Sequence, residues 1–380
     1  MFWTIREGMN IFYRNIHVKI KGLKTYEGND EEICSKIIDE CYDKKNKYFR
    51  ASNGNYKLFY ARDFGWCIQS LINLGYDTEV YNTLKYAMEI YHKHDKITVA
   101  INDLGKPFNF PEVYSPDSVA YMFRSLRIAR TKDLIIKYAE FLNSQLKVFE
   151  SEVLNDDGLL QDRHFSGMRD HVNAFGLCYD MIITCMLSDE VDKINNLFTK
   201  KGGKTGEKIL DNVLQKYDLK KKLIKHYWNG RYFDDGLNDK YCSGHANTYP
   251  YFLDVVQDDK LLKSSIKSMQ KNNLDRPFPL EYGYSKKTRF IWQDIFVHDW
   301  EKETVWGMLG LAYIDVISKV DKQSAKEYLT EYYRMILKHQ CFIEVYSDYE
   351  PYSSLFFTAD DSMLWASMYL DLKNRLKKIK

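Results

Sequence analysis

Two carboxylates stand where a carboxylate needs a reason. Glu344 lies in Phe342-Ile343-Glu344-Val345-Tyr346, an apolar run that buries most of its side chains, and Asp170 closes Phe165-Ser166-Gly167-Met168-Arg169-Asp170-His171 just before an apolar-periodic stretch. A carboxyl among hydrocarbon is costly unless it is paired, hydrogen-bonded or in use. Glycosidic-bond hydrolysis uses such a pair, one protonated and one ionised. The structural alternatives are an ion pair for Glu344 and a helix N-cap for Asp170.

Other residue types fit the same chemistry. In Arg62-Asp63-Phe64-Gly65-Trp66 an acceptor and a donor adjoin, able to clamp two sugar hydroxyls, and Trp66 offers a ring face. Asp63 as a plain N-cap is the bland alternative. His245, at the helix start Ser243-Gly244-His245-Ala246-Asn247, is either a substrate contact or structural, and Trp306 is either core or the floor of a sugar subsite. His298 and Glu301 hint at a metal, but no second histidine stands near, so neither metal nor cofactor is expected.

Helices must position these groups. Apolar residues recur at helical spacing over 31–47, 64–74, 78–91, 117–129, 132–149, 172–187, 191–216, 245–256, 261–269, 304–318, 324–337 and 360–372. These form pairs joined by tight turns. Long polar, aromatic-rich loops separate the pairs, at 98–116, 155–169, 228–244, 272–303 and 342–359. Such loops are uncommon in a compact domain unless they do something. Their recurrence predicts a helical barrel with loops gathered at one end around a site. No Pro/Ser-rich linker divides the chain, so residues 1–380 read as one domain, with 1–28 an extension packed on it.

Composition narrows the class. Aromatic residues reach 15%, with 30 Tyr, 21 Phe and 7 Trp, which suits either a carbohydrate cleft or a large aromatic core. A formal net charge of +2 leaves no electrostatic footprint for nucleic acid. No apolar run is long enough to span a membrane and no signal-peptide core is seen, so the expected location is cytoplasmic. The cysteines, odd in number and without a CxxC pair, read as buried free thiols. Oligomeric state is not legible.

In order, Arg62-Asp63…Trp66, Ser166-Gly167-Met168-Arg169-Asp170, Glu303-Thr304-Val305-Trp306-Gly307, and Glu344-Val345-Tyr346 followed by Phe357-Thr358-Ala359…Trp365 resemble the six-hairpin glycosidases. That group holds glucoamylases, trehalases, processing α-glucosidases with their mannosylglycerate-hydrolase relatives, and the glucosidase part of glycogen debranching enzymes. The resemblance runs from about Ala61 to Leu372 and implies an all-α (α/α)6 toroid. It implies an inverting hydrolase of an α-linked glucoside, with Asp170 as general acid and Glu344 as general base. Asp162 and Asp157 stand by as alternative acids, because the central segment is one residue longer than the family pattern. Arg62 and Asp63 would grip the terminal sugar, and Trp66, Trp306, Tyr346 and His245 would line its subsite. The partner would be a small carbohydrate. Two rival classes are an epimerase or isomerase using His171, His245 and His298, and a non-catalytic toroid whose loops enclose no pocket.

Overall fold

Inner and outer helices differ in how many of their faces are apolar, and that difference builds the ring. The computed structural model describes residues 2–169, 174–199, 208–285 and 295–378. Helix α3 (Ala61–Asn73) packs on α5 (Pro116–Ile128), α5 on α8 (Cys178–Leu197), and α8 on α10 (Gly244–Phe252). Helix α10 continues to α12 (Gly307–Ser318), α12 to α14 (Ala366–Lys378), and α14 returns to α3. Six inner helices thus close on themselves. Outside them, α2 (Asp30–Cys41), α4 (Asp77–Lys93), α7 (Ala139–Val153), α9 (Leu219–Tyr227), α11 (Asp259–Lys271) and α13 (Lys322–His339) each cover one inner helix. This is the expected (α/α)6 toroid, in one domain. Helix α1 (Phe2–Lys21) precedes the ring, and the short α6 (Lys132–Lys137) links α5 to α7.

The sequence explains the two layers. Helix α5 buries 10 of its 13 residues, as a helix enclosed on nearly every face must. Helix α11 buries only Leu262, Ser265, Ile266 and Met269, one stripe at helical spacing. Inner helices also approach closely. A Cβ on Gly65 would lie 2.5 Å from the Cβ of Tyr121, so α3 can pack on α5 at this depth only with glycine there.

Several expected boundaries shift. The single helix read over 132–149 is two, broken at Tyr138. The pair read over 172–187 and 191–216 is, among the described residues, the continuous α8; no Gly or Pro interrupts Leu187-Ser188-Asp189-Glu190. Residues 213–216 form only a short 3-10 turn. The last helix begins at Ala366 rather than Asp360, and α1 and α9 were not anticipated.

Short antiparallel ladders replace parts of the long loops. They are β1 (Tyr42–Asp43) with β2 (Tyr48–Phe49); β3 (Phe59–Tyr60), β4 (Ala100–Ile101) and β5 (Pro107–Phe108); and β6 (Val305–Trp306), β7 (Val345–Ser347) and β8 (Glu350–Pro351). Strand β3 runs straight into α3 and β6 into α12, so both ladders sit at the N-terminal ends of inner helices. All seven cysteines are buried thiols. No described helix is long and apolar enough to cross a membrane.

Candidate active site

A cavity of about 340 Å³ opens at that end of the ring. The start of α3 gives it Arg62, Asp63 and Trp66; the β6–α12 junction gives Trp306 and Met308; the segment entering α14 gives Met363 and Trp365; and the strand-entry residue Glu344 completes one side. Five residues singled out from the sequence, Arg62, Asp63, Trp66, Trp306 and Glu344, therefore share one wall.

Each is held from behind. Arg62 Nε pairs with Asp117 Oδ2 at 2.6 Å, and Asp117 is itself fixed by the Ser115 hydroxyl at 2.8 Å and the Tyr179 hydroxyl at 3.2 Å. Asp63 is not an N-cap: Tyr60 occupies that position, and Asp63 Oδ1 accepts the Trp365 indole N–H at 3.0 Å. Trp66 donates its N–H to the Tyr121 hydroxyl at 2.8 Å, and Trp306 donates to the Trp300 carbonyl at 2.9 Å. With all three indole N–H groups satisfied by protein, the rings present apolar surface to the cavity.

Glu344 is 2% exposed. Its Oε2 accepts the Asp360 backbone N–H at 3.0 Å, and the Tyr56 hydroxyl donates to the same carboxyl. Among the described residues no cation forms an ion pair with it. Arg14, whose charge draws the Glu344 carboxyl down, is committed to Asp361 at 2.8 Å. Burial first, then the neighbouring Asp360 carboxylate, push the Glu344 carboxyl up to about 8. Asp360 is pinned in turn: it accepts from the Ser52 hydroxyl at 2.6 Å, the Ser362 N–H at 2.9 Å and the Asn55 N–H. A Cβ on Gly54 would lie 2.5 Å from both Asp360 oxygens, so the carboxyl needs glycine opposite.

The structure does not bring every expected residue here. Tyr346 is fully buried, its ring 5.1 Å from that of Phe278, because β7 turns it into the core. His245 lies behind the wall, with Nε2 3.3 Å from Asp235 Oδ1. Burial and then Arg169 hold it down at about 3, so it is neutral. His298 is a surface side chain, 80% exposed and paired with Asp299. Asp157 and Asp162 are exposed and do not line the cavity. Asp170 and His171 lie outside the described residues.

Other wall residues were not anticipated as such. Tyr56 follows Ser-Asn-Gly-Asn, a turn-forming run that is the local signal of a fixed loop. Trp300 stacks edge-on against Trp306 at 4.9 Å and Phe357 at 4.6 Å. Glu301, weighed only as a metal ligand, is 4% exposed in the same wall and close enough to Arg169 to affect it. Arg169 is anchored by Asp235 at 2.7 Å and the Tyr241 hydroxyl at 2.8 Å.

No family model matches this sequence, and no curated protein does. Solved structures do match. A wild-type glycosidase superposes with a TM-score of 0.66 at 10% identity, over 98% of each chain, and a variant of it in complex with glucose gives 0.65 at 10% identity over the same shares. A rhamnosidase from Klebsiella oxytoca with rhamnose bound gives 0.63 at 10% identity, over 92% of this chain and 63% of its own. A bacterial glucoamylase complexed with acarbose gives 0.60 at 12% identity, over 89% of this chain and 53% of that one. The chain therefore spans less than two thirds of the rhamnosidase and about half of the glucoamylase. The fold is that of the six-hairpin glycosidases. At this identity the likeness is one of chain path.

Proposed function

We propose that the chain is a glycoside hydrolase that cleaves an α-linked glucoside with inversion. The observation that carries the reading is Glu344: a buried carboxyl without an ion-pair partner among the described residues, lining a cavity shared with Arg62, Asp63 and four tryptophans. A volume of about 340 Å³ lies at the low end of small-ligand sites, roughly 300–1,000 Å³. Among the matched structures, the glucose complex and the glucoamylase favour a glucoside, and the rhamnose complex supplies the natural competitor.

In this mechanism Glu344 is the base. Once ionised, it removes a proton from a water attacking the anomeric carbon, while the Tyr56 hydroxyl and the Asp360 N–H steady the carboxylate. Asp170 protonates the leaving oxygen on the opposite face. Arg62 and Asp63, held by Asp117 and Trp365, orient the sugar hydroxyls, and the indoles stack on its ring. The epimerase reading loses support because neither His245 nor His298 lines the cavity.

The test is NMR of the anomeric proton during incubation with trehalose, maltose, isomaltose, kojibiose, nigerose, glucosylglycerate and an α-rhamnoside, with wild type beside Glu344→Gln and Asp170→Asn. β-Glucose appearing first, and lost in both variants, is the expected result. α-Glucose first overturns inversion, release of rhamnose overturns the glucoside, and a sugar epimerised without cleavage overturns hydrolysis.

A further inference from the structure

The first helix is docked the opposite way round from an ordinary surface helix, which turns its apolar stripe to the core and its polar face to water. Helix α1 meets the ring through polar groups. Asn15, 1% exposed, donates to the Leu355 carbonyl at 2.9 Å and accepts from the Thr358 hydroxyl at 2.7 Å. Arg14 beside it pairs with Asp361 at 2.8 Å, and half-buried Ile11 packs on the core one turn before.

The outward side of the same helix is apolar. Met9, Tyr13, Ile16 and Ile20 are 50%, 62%, 39% and 75% exposed. Their steps of four, three and four residues set them in one row along the helix. Scattered exposed hydrophobic residues need no explanation, but a continuous row marks a surface that meets something.

Cations border that row. The helical period places His17 and Lys21 along one edge and Lys19 along the other. His17 and Lys21 also line a groove beside α1 together with the exposed Lys57, and none of these three forms an ion pair among the described residues. Arg14 and Lys24 in the same groove are paired with Asp361 and Glu40; Asp103 is its other acid. The charge is local to this region. Helix α1 holds four basic residues and one acidic, out of 55 and 53 in the chain, so the rest of the protein is slightly acidic.

We infer that α1 is a membrane-surface helix, laying the row from Met9 to Ile20 into the headgroup region of an anionic bilayer with Lys19, Lys21 and Lys57 at the lipid phosphates. An apolar stripe bordered by cations is the pattern of a helix that lies in the interface plane. Anionic lipid supplies the complementary charge, and the polar anchors of Asn15 and Arg14 keep the row facing outward. A second copy of α1 fits less well. Pairing the rows would set lysine and histidine borders against their own kind, and no acidic residue stands between Gly8 and Lys21 to offset them. The inference does not depend on the glycosidase reading.

The test is flotation of the full chain with vesicles of phosphatidylcholine alone and of phosphatidylcholine mixed equally with phosphatidylserine. Binding to the mixed vesicles should be at least about tenfold tighter, and should weaken as salt rises. Lys21→Gln with Lys57→Gln should erase most of that preference. Ile16→Gln with Ile20→Gln should weaken binding to the mixed vesicles at least about tenfold, while Ile136→Gln, at an exposed isoleucine on α6, should change nothing. All five positions lie outside the core, and an unchanged urea midpoint checks that each variant is folded. No flotation with the mixed vesicles overturns the inference, as does flotation indifferent to both α1 variants. A dimer seen by ultracentrifugation, lost in the Ile16→Gln, Ile20→Gln variant and unaccompanied by flotation, would assign the row to a second copy instead.

Discussion

Glu190 and Glu344 are the same residue at nearly the same depth, 0% and 2% exposed, yet they are driven to opposite protonation states. Burial pushes both carboxyls up. At Glu190 a two-pronged contact from Arg127, at 2.5 and 2.8 Å, with Arg124 and Lys193 behind it, outweighs burial and holds the group below the ordinary glutamate range. At Glu344 no such fork exists among the described residues, and the Asp360 carboxylate adds to burial. One is a closed ion-pair cluster between α5 and α8; the other is an uncompensated acid on a cavity wall. Depth of burial therefore does not separate structure from function, but the charge of the surroundings does.

The comparison breaks first on activity. Glu344→Gln should abolish hydrolysis, a loss of at least about 10³-fold in kcat measured on the substrate that the NMR panel identifies. Glu190→Gln should cleave at nearly the wild-type rate per folded molecule. Its effect should appear in urea unfolding instead, as a loss of about 3–5 kcal/mol, because Arg127 and Arg124 keep their charge without a partner. Equal activity in both variants would remove the distinction.

Stability against pH sharpens it. The native-state value of Glu344 lies above its unfolded value, so its contribution is fully present below about 4.5 and is lost as pH rises to about 8. Glu344→Gln does not titrate there. The variant should therefore gain on wild type through that window and stay ahead above it, by on the order of a few kcal/mol. Denaturant midpoints at pH 4, 6 and 9 check this, and a gap that is flat with pH rejects it. Glu190→Gln should show the reverse trend, since its partner-stabilised carboxylate favours the native state once ionised.

Rate against pH decides the role of Glu344. A base must be ionised, so kcat/KM should rise with pH and level off past about 8. If kcat/KM instead falls above about 8, Glu344 is the proton donor and the base must be sought elsewhere, with Glu301 beside Arg169 the first place to look.

How far the sequence carried this contrast follows from what is local. Glu344 stood out because a charge inside Phe-Ile-Glu-Val-Tyr is anomalous along the chain itself. Arg62, Asp63 and Trp66 stood out because one helix start presents all three. Tyr56, Trp300 and Glu301 did not, since three separate loops bring them to one wall and no spacing records that. Tyr346 and His245 were misplaced for a related reason: an aromatic or a histidine in a loop has the same composition whether it faces a cavity or the core. The ring itself depends on α14 meeting α3 across most of the chain, which periodicity cannot show; the ordered motifs of the resemblance supplied it.

The smallest effect concerns Asp360, where apolar periodicity predicts the start of a helix. It lies before that helix, fixed by the Ser52 hydroxyl, the Ser362 N–H and the Asn55 N–H, and its backbone N–H donates to Glu344. Its carboxylate is the second cause of the raised Glu344 value, after burial. Asp360→Asn keeps the shape and removes the charge, so the rising limb of kcat/KM should move to lower pH while burial still holds it above the ordinary glutamate range. A purely structural role for Asp360 gives a different signature, since loosening the Ser52–Tyr56 loop would lower the plateau and leave the limb in place. A displaced limb with little change in plateau therefore assigns Asp360 to tuning Glu344, and a fixed limb leaves burial alone to account for the difference from Glu190.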